Sequence, residues 1–177
     1  MILDLITKKQ DEFYTPDYAI DPILKYVPLG STVLCPFDTA ESLFVKRLAS
    51  HGCTVHHSHI EDGVDFWDMD RPSADFVISN PPYSVKGDVL EKLFSWGVPF
   101  AMLIGVVGLF ESQKRFEMFR QNKFEIMYLN RRVSYFKSYD DPKPELNPPF
   151  SSVYLTSGML PDRIVFEEII KTSKPVT

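Results

Sequence analysis

The segment Asp75-Phe76-Val77-Ile78-Ser79-Asn80-Pro81-Pro82-Tyr83 decides how this chain is read. Its first five residues carry an apolar centre without polar alternation, which predicts a short strand buried on both faces. The strand stops abruptly at Asn80, where Asn-Pro and Pro-Pro mark a turn. A polar tetrad at the carboxyl end of a buried strand sits where open α/β sheets bind their ligands.

The same rhythm recurs on both sides of that turn. Upstream, 17–27 has apolar residues near helical spacing behind Pro16, and 31–37 reads as a strand. An amphipathic helix over 41–51, closed by Gly52, and a second strand over 54–59 follow. Downstream, 88–96 reads as a helix, 99–107 as a continuous apolar strand and 113–121 as a basic helix. Strands without alternation, separated by helices, predict a mostly parallel central sheet with helices on both faces. After Asn122 the rhythm changes. Residues 125–133 and 152–160 read as strands joined by a polar, proline-rich stretch, 137–149, with no helix signal, so they are expected to form an antiparallel edge hairpin. A stretch of that length is usually functional or disordered. A last helix is expected over 162–170. The fold class is α/β, of Rossmann-like type.

The chain has 177 residues, 44% hydrophobic and 14% aromatic, enough to bury a core, which excludes disorder and a disulfide-stapled miniprotein. No repeat, low-complexity tract or Gly/Ser linker divides it, so 1–177 is expected to be one domain. Two cysteines, Cys35 and Cys53, without zinc-like spacing fit a reduced, cytoplasmic protein. The longest apolar run, 99–110, falls short of the roughly 18 residues a membrane span needs, and no basic-then-apolar leader opens the chain. A soluble protein with no membrane partner is expected.

The formal net charge is −5, yet 113–143 holds eight basic against four acidic residues. Lys114, Arg131, Arg132 and Lys137 are the candidate contacts there for an anionic partner, the plain reading being a set of solvated faces. His51, His56, His57 and His59 lie close together, but nothing supplies the rest of a ligand set and no metal is expected.

The tetrad suits chemistry on a planar amine. An exocyclic amino nitrogen has its lone pair delocalised into its ring, so it attacks poorly until acceptors hold its hydrogens. The amide oxygen of Asn80 and the backbone carbonyl of Pro81 are suited to that task. Pro81 and Pro82 stiffen the turn and add no competing donor. Tyr83 offers a flat face on which a flipped-out base can stack.

Taken with Phe13-Tyr14-Thr15-Pro16, Leu34-Cys35-Pro36-Phe37-Asp38-Thr39, Asp65-Phe66-Trp67, Arg131-Arg132 and Pro149-Phe150-Ser151-Ser152-Val153-Tyr154, the tetrad makes the sequence resemble the small phage-type N6-adenine DNA methyltransferase family. The resemblance runs over most of the chain. It implies S-adenosylmethionine as cofactor, held around its methionine part by Tyr14, Thr15, Pro16, Pro36, Phe37 and Asp38. It also implies that Asp65 reaches the adenine amine of the cofactor and that Phe66 packs on its ring. Each has a plainer reading too: Phe37 and Phe66 as core, Asp38 as a cap for the helix starting near Glu41. The sequence departs from the wider methyltransferase pattern in having no glycine in Asp38-Thr39-Ala40-Glu41-Ser42. At the end of the second strand, where an acidic residue normally meets the ribose hydroxyls, the chain has Ser58-His59-Ile60 before Glu61-Asp62, and which of these, if any, fills that role is open.

The resemblance implies methyl transfer to adenine N6 in DNA. Because 177 residues leave no room for a separate target-recognition domain, low specificity, a single-stranded substrate or a protein partner is expected. Two rival readings fit the same residues: the same chemistry on RNA or a protein glutamine, and a catalytically silent binding protein from a mobile element.

Overall fold

The protein was analysed as a computed structural model, which describes residues 13–138, 141–144 and 150–171, with side chains for 13–136 and 150–171. In chain order the elements are α1 (Asp17–Leu24), β1 (Thr32–Cys35), α2 (Leu43–His51), β2 (Thr54–His57), β3 (Phe76–Ser79), α3 (Lys86–Trp96), β4 (Phe100–Gly105), α4 (Gln113–Gln121), β5 (Glu125–Leu129), β6 (Phe136–Ser138), β7 (Asp141–Pro144), β8 (Ser152–Ser157) and β9 (Ile164–Glu167). Seven strands form one sheet in the order β2-β1-β3-β4-β8-β5-β9. β1 pairs in parallel with β2 on one side and β3 on the other, so the chain reverses its direction of travel across the sheet between them. That reversal opens a crevice at the carboxyl ends of β1 and β3.

Both faces of the sheet are covered, and β4 shows how. Its residues are all buried, with Ala101 and Leu103 joining the core beneath α1 and α2, while Phe100, Met102 and Ile104 join the core beneath α3 and α4. A strand whose two faces both meet helices has no reason to alternate polar with apolar residues, which is why its sequence reads as a continuous apolar run.

The expected antiparallel pair is present. β8 runs against β4 on one side and β5 on the other, joined by the Tyr154–Leu103 and Tyr154–Met127 registers among others. The stretch between β5 and β8 holds a second, two-stranded sheet of β6 and β7, which Tyr14 joins through an isolated bridge to Phe136.

The expected terminal helix over 162–170 is a strand instead. β9 pairs in parallel with β5, and its outward Ile164 and Phe166 are exposed. Ile164-Val165-Phe166 is a β-branched and aromatic run that loses side-chain freedom in a helix, and the open edge of β5 offers it hydrogen bonds. Glu167 then fixes the strand to the segment after α1, accepting from Lys25 Nζ at 2.6 Å and Tyr26 Oη at 2.7 Å. Burial works to raise the Glu167 carboxyl, but these two bonds outweigh it and hold it below its ordinary range.

Candidate active site

A cleft of about 340 Å³ opens at the carboxyl ends of β1, β2 and β3. Such a volume falls within the range of small-molecule sites. Its walls come from the segment before α1 (Phe13, Tyr14, Thr15), the turn after β1 (Pro36, Phe37, Asp38, Thr39), the turn after β2 (His59, Ile60, Glu61), Asp65, Phe66 and Trp67, and the turn after β3 (Asn80, Pro81, Pro82). Segments scattered over the first half of the sequence thus converge because parallel strands deliver every carboxyl end to the same edge.

The turn after β1 needs no glycine. Among the described residues only glycines have positive φ, and none lies in 36–42, so this turn follows a path open to any side chain. Its anchor is Asp38, whose backbone N–H donates to Ser58 O at 3.1 Å and whose buried carboxylate accepts from two hydroxyls. Ser42 Oγ, at the N-cap of α2, donates to Oδ1, and Ser79 Oγ, the last residue of β3, donates to Oδ2 at 2.5 Å. Burial raises the Asp38 carboxyl above its ordinary range, opposed by the two serine bonds and by the nearby His59 and His57. The carboxylate therefore locks the ends of β1 and β3 together, one residue from Asn80.

Asn80 is held as firmly but not fully used. Its Nδ2 donates to Phe13 O at 2.7 Å and to Thr15 Oγ1 at 3.1 Å, which commits both amide hydrogens and fixes which end of the amide is oxygen. The other end, Oδ1, is buried without a hydrogen-bond partner. Leaving such an acceptor unmet costs about 1–3 kcal/mol, a cost that a donor arriving in the cleft would offset.

The sequence matches no protein-family model and no curated protein. Among solved structures, the methyltransferase subunit of a type I restriction-modification system from Streptococcus thermophilus is similar over 89% of this chain, with a TM-score of 0.54 at 13% identity. The chain has a methyltransferase fold. It spans about half the length of that subunit, covering 47% of it. A tRNA (m1A58) methyltransferase from Aquifex aeolicus is more distant, with a TM-score of 0.42, 12% identity, and 82% and 69% of the two chains covered. A protein-(glutamine-N5) methyltransferase from Alicyclobacillus acidocaldarius gives 0.39 at 17% identity, over 80% of this chain and 88% of that one.

Within this methyltransferase fold, the structure gathers most of the residues expected at the site and sets some apart. Tyr14, Thr15, Pro36, Phe37, Asp38, Asp65, Phe66, Asn80, Pro81 and Pro82 all line the cleft. Pro16 does not, being buried at the N-cap of α1. Asp65 caps the turn Phe66–Asp68 by accepting from Trp67 N at 3.1 Å, and Phe66 packs against Phe37 with ring centroids 4.7 Å apart. Tyr83 is not on the wall either. Phe13 stacks on its ring at 4.9 Å and 24°, and its hydroxyl donates to Tyr135 Oη at 2.7 Å, which in turn bonds Ser152 Oγ at 2.7 Å. The ring face expected to receive a base is occupied by Phe13, because a tyrosine whose hydroxyl reaches a buried partner is drawn toward the core.

The basic segment also resolves into unlike parts. Lys114 is not free for an anion: its Nζ lies 3.2 Å from Asp88 Oδ1 and 3.0 Å from Glu91 Oε2, and both carboxylates raise its pKa. Arg120 pairs with Glu117, and Arg115 donates to Gly108 O. Arg131 and Arg132, just beyond β5, are exposed, and among the described residues no carboxylate pairs with them. Partial burial, then the charge of Arg131, lowers the pKa of exposed Lys171, whose Nζ donates to Ser134 Oγ at 2.9 Å. The Lys137 side chain lies outside the described residues.

Sequence reasoning missed Ser42, Ser79, Lys171 and Lys86. The buried Lys86 donates to Gly105 O at 3.2 Å and to Val107 O, tying the start of α3 to the end of β4. A lysine in the first turn of a helix opposes the helix dipole, a signal that its charge serves a tertiary contact. At that same strand end, a Cβ on Gly105 would come within 2.9 Å of the Phe150 ring, so glycine is required for Phe150 to reach Tyr83. Two of the histidines find ordinary partners, His51 Nε2 with Val27 O at 2.8 Å and His59 Nδ1 with Glu61 N at 3.1 Å. Among the described residues no three metal-ligating side chains come together, and no helix is long and apolar enough to cross a membrane.

Proposed function

We propose that this chain is an S-adenosylmethionine-dependent methyltransferase acting on the exocyclic N6 amine of adenine in DNA. The observation that carries the reading is the amide oxygen of Asn80, buried and unmet on a residue that lines a cleft inside a methyltransferase fold. An acceptor held by two donor bonds on its own amide cannot turn away, so it selects a ligand that brings a hydrogen. A planar amine brings two. Asn80 Oδ1 takes one and the Pro81 carbonyl the other, which localises the nitrogen lone pair for attack.

The cleft fits the cofactor in size and charge. Glu41, Glu61 and Asp65 line it, and carboxylates complement a ligand carrying a sulfonium and an ammonium group. Thr15, Pro36, Phe37 and Glu61 would hold that ligand, with Glu61 beside the ribose hydroxyls. When bound, it supplies a methyl group already activated on sulfur. The chain's own contribution is then positioning, which Asp38 secures by fixing the β1 and β3 ends on either side of the transfer.

Nucleic acid is favoured over a protein amide by Arg131, Arg132 and Lys171. β5 and β9 run parallel to β4, so these cations lie at the same sheet edge as the cleft, where phosphates position a strand without specifying it. The similar structure from Streptococcus thermophilus is a subunit of a restriction-modification system, and this chain spans half its length. By that likeness, the reading includes a protein partner that supplies target choice.

Calorimetric titration with S-adenosylmethionine is expected to give micromolar binding, followed by labelled methyl transfer to adenine-containing DNA in preference to RNA or a glutamine peptide. Transfer to either of the latter would relocate the substrate. Absence of cofactor binding would overturn the enzyme reading in favour of a silent scaffold.

A further inference from the structure

Phe13 stands where the sequence places Tyr83. Phe13 is half-buried and is one of the residues lining the cleft, whereas Tyr83 is not. The two rings stack at 4.9 Å and 24°, and Phe150 and Tyr135 meet Phe13 edge-on at 5.8 and 5.4 Å. Three aromatic rings therefore fix the orientation of the fourth. The main chain fixes its position: Phe13 O accepts from Asn80 Nδ2 at 2.7 Å, and the next residue, Tyr14, exchanges two backbone bonds with Phe136, at 3.3 and 2.9 Å. One residue of the cleft wall thus carries both the carbonyl that aims the Asn80 amide and an aromatic ring braced by three others.

We propose that Phe13 supplies the aromatic surface against which the target base packs while its amine meets Asn80, and that Tyr83 is a positioning residue that backs the Phe13 ring. The assignment rests on the proposed reaction, since it takes the ligand to be a planar heteroaromatic amine. A base stacked on a ring is held with its edge in the ring's own plane direction, so an aromatic fixed to Asn80 through its own carbonyl sets base height and amide height together. Stacking of a base on an aromatic side chain contributes about 1–3 kcal/mol, or roughly 5- to 150-fold in affinity. Because every base has such a face, Phe13 would give affinity, and Asn80 the choice of an amine.

The test compares wild type with Phe13→Leu, Phe13→Trp and Tyr83→Phe, using adenine-containing single-stranded oligonucleotides for labelled methyl transfer and calorimetry for S-adenosylmethionine. Phe13→Leu is expected to raise the KM for the oligonucleotide about tenfold or more, a loss inside the range for one stacked base. Phe13→Trp should restore most of it, which a merely structural loss of packing would not allow. Tyr83→Phe keeps the backing ring and should shift KM far less. Thermal melting of each variant separates a folding defect from a binding one. An unchanged or lowered KM in Phe13→Leu, with the base then reaching Tyr83, would overturn the proposal while leaving the enzyme reading intact. A wild-type chain that binds the cofactor yet transfers nothing to adenine would overturn the proposed reaction and this assignment with it.

Discussion

Asp38 and Asn80 sit at the carboxyl ends of neighbouring strands, linked through Ser79, and differ in one respect. Both oxygens of the Asp38 carboxylate are taken by serine hydroxyls, whereas the Asn80 amide has both hydrogens committed and its oxygen unmet. A buried carboxyl group with both oxygens hydrogen-bonded is a fastener. A neutral group held rigidly with one acceptor empty is a receptor, and its unmet cost is borne by the stability of the surrounding fold. The sequence reading gave both residues to the ligand; their hydrogen bonds divide the labour.

The sharpest break of this comparison is Asn80→Ala. It removes the acceptor and should lower the rate of methyl transfer by about 100-fold or more, as expected for one aimed hydrogen-bonding group in an active site, while calorimetric cofactor binding persists. Unaltered turnover would remove Asn80 from the reaction. Next comes Ser79→Ala, which strips one donor from the buried Asp38 carboxylate and should cost about 1–3 kcal/mol in urea unfolding. A variant as stable as wild type would show that Asp38 does not fasten the strands.

The pH dependence of stability follows from the same carboxylate. Because burial raises the Asp38 pKa, the folded chain keeps its proton at pH values where the unfolded chain, at about 3.9, has released it. The contribution of this group to stability is complete below about 3.9 and is lost as pH rises through the raised folded value. Asp38→Asn should abolish that decline in thermal midpoint across the same window; an identical pH profile would contradict the assignment.

The smallest effects concern the cations, where a parallel contrast holds. Lys114 is neutralised by Asp88 and Glu91, and Arg131 and Arg132 stand exposed. Reversing both arginines should weaken DNA binding and flatten its salt dependence by about two counterions. Lys114→Ala should leave the salt slope where it was. Equal effects at the two places would show that ion pairing on α4 does not shield the helix.

Most of the element order was legible because a strand buried on both faces writes a continuous apolar run, and 99–107 and 75–79 are such runs. The boundaries of the basic helix, Gln113–Gln121, coincide with its polar and apolar spacing. The strand near the carboxyl terminus is not legible in sequence because the four residues Ile164-Val165-Phe166-Glu167 are too few to carry a period, and what decides their state is the open edge of β5, a partner distant in sequence. The polar tetrad announced a site because prolines behind an apolar strand end it wherever the chain folds. The surroundings of Tyr83 announced nothing, since Phe13, Tyr135 and Phe150 are scattered over the chain and meet only when the sheet brings them together.

By itself, then, the sequence determined where most strands and helices lie, the strand Ile164–Glu167 excepted, and which turn carries the polar acceptor, since these follow from local periodicity and from prolines acting on their own neighbours. Only the tertiary structure decided which acceptor stays empty, which aromatic faces the cleft and which cations are already paired. Those properties belong to contacts between residues far apart in the chain, and a hydrogen bond or ion pair taken by one partner is no longer available to another.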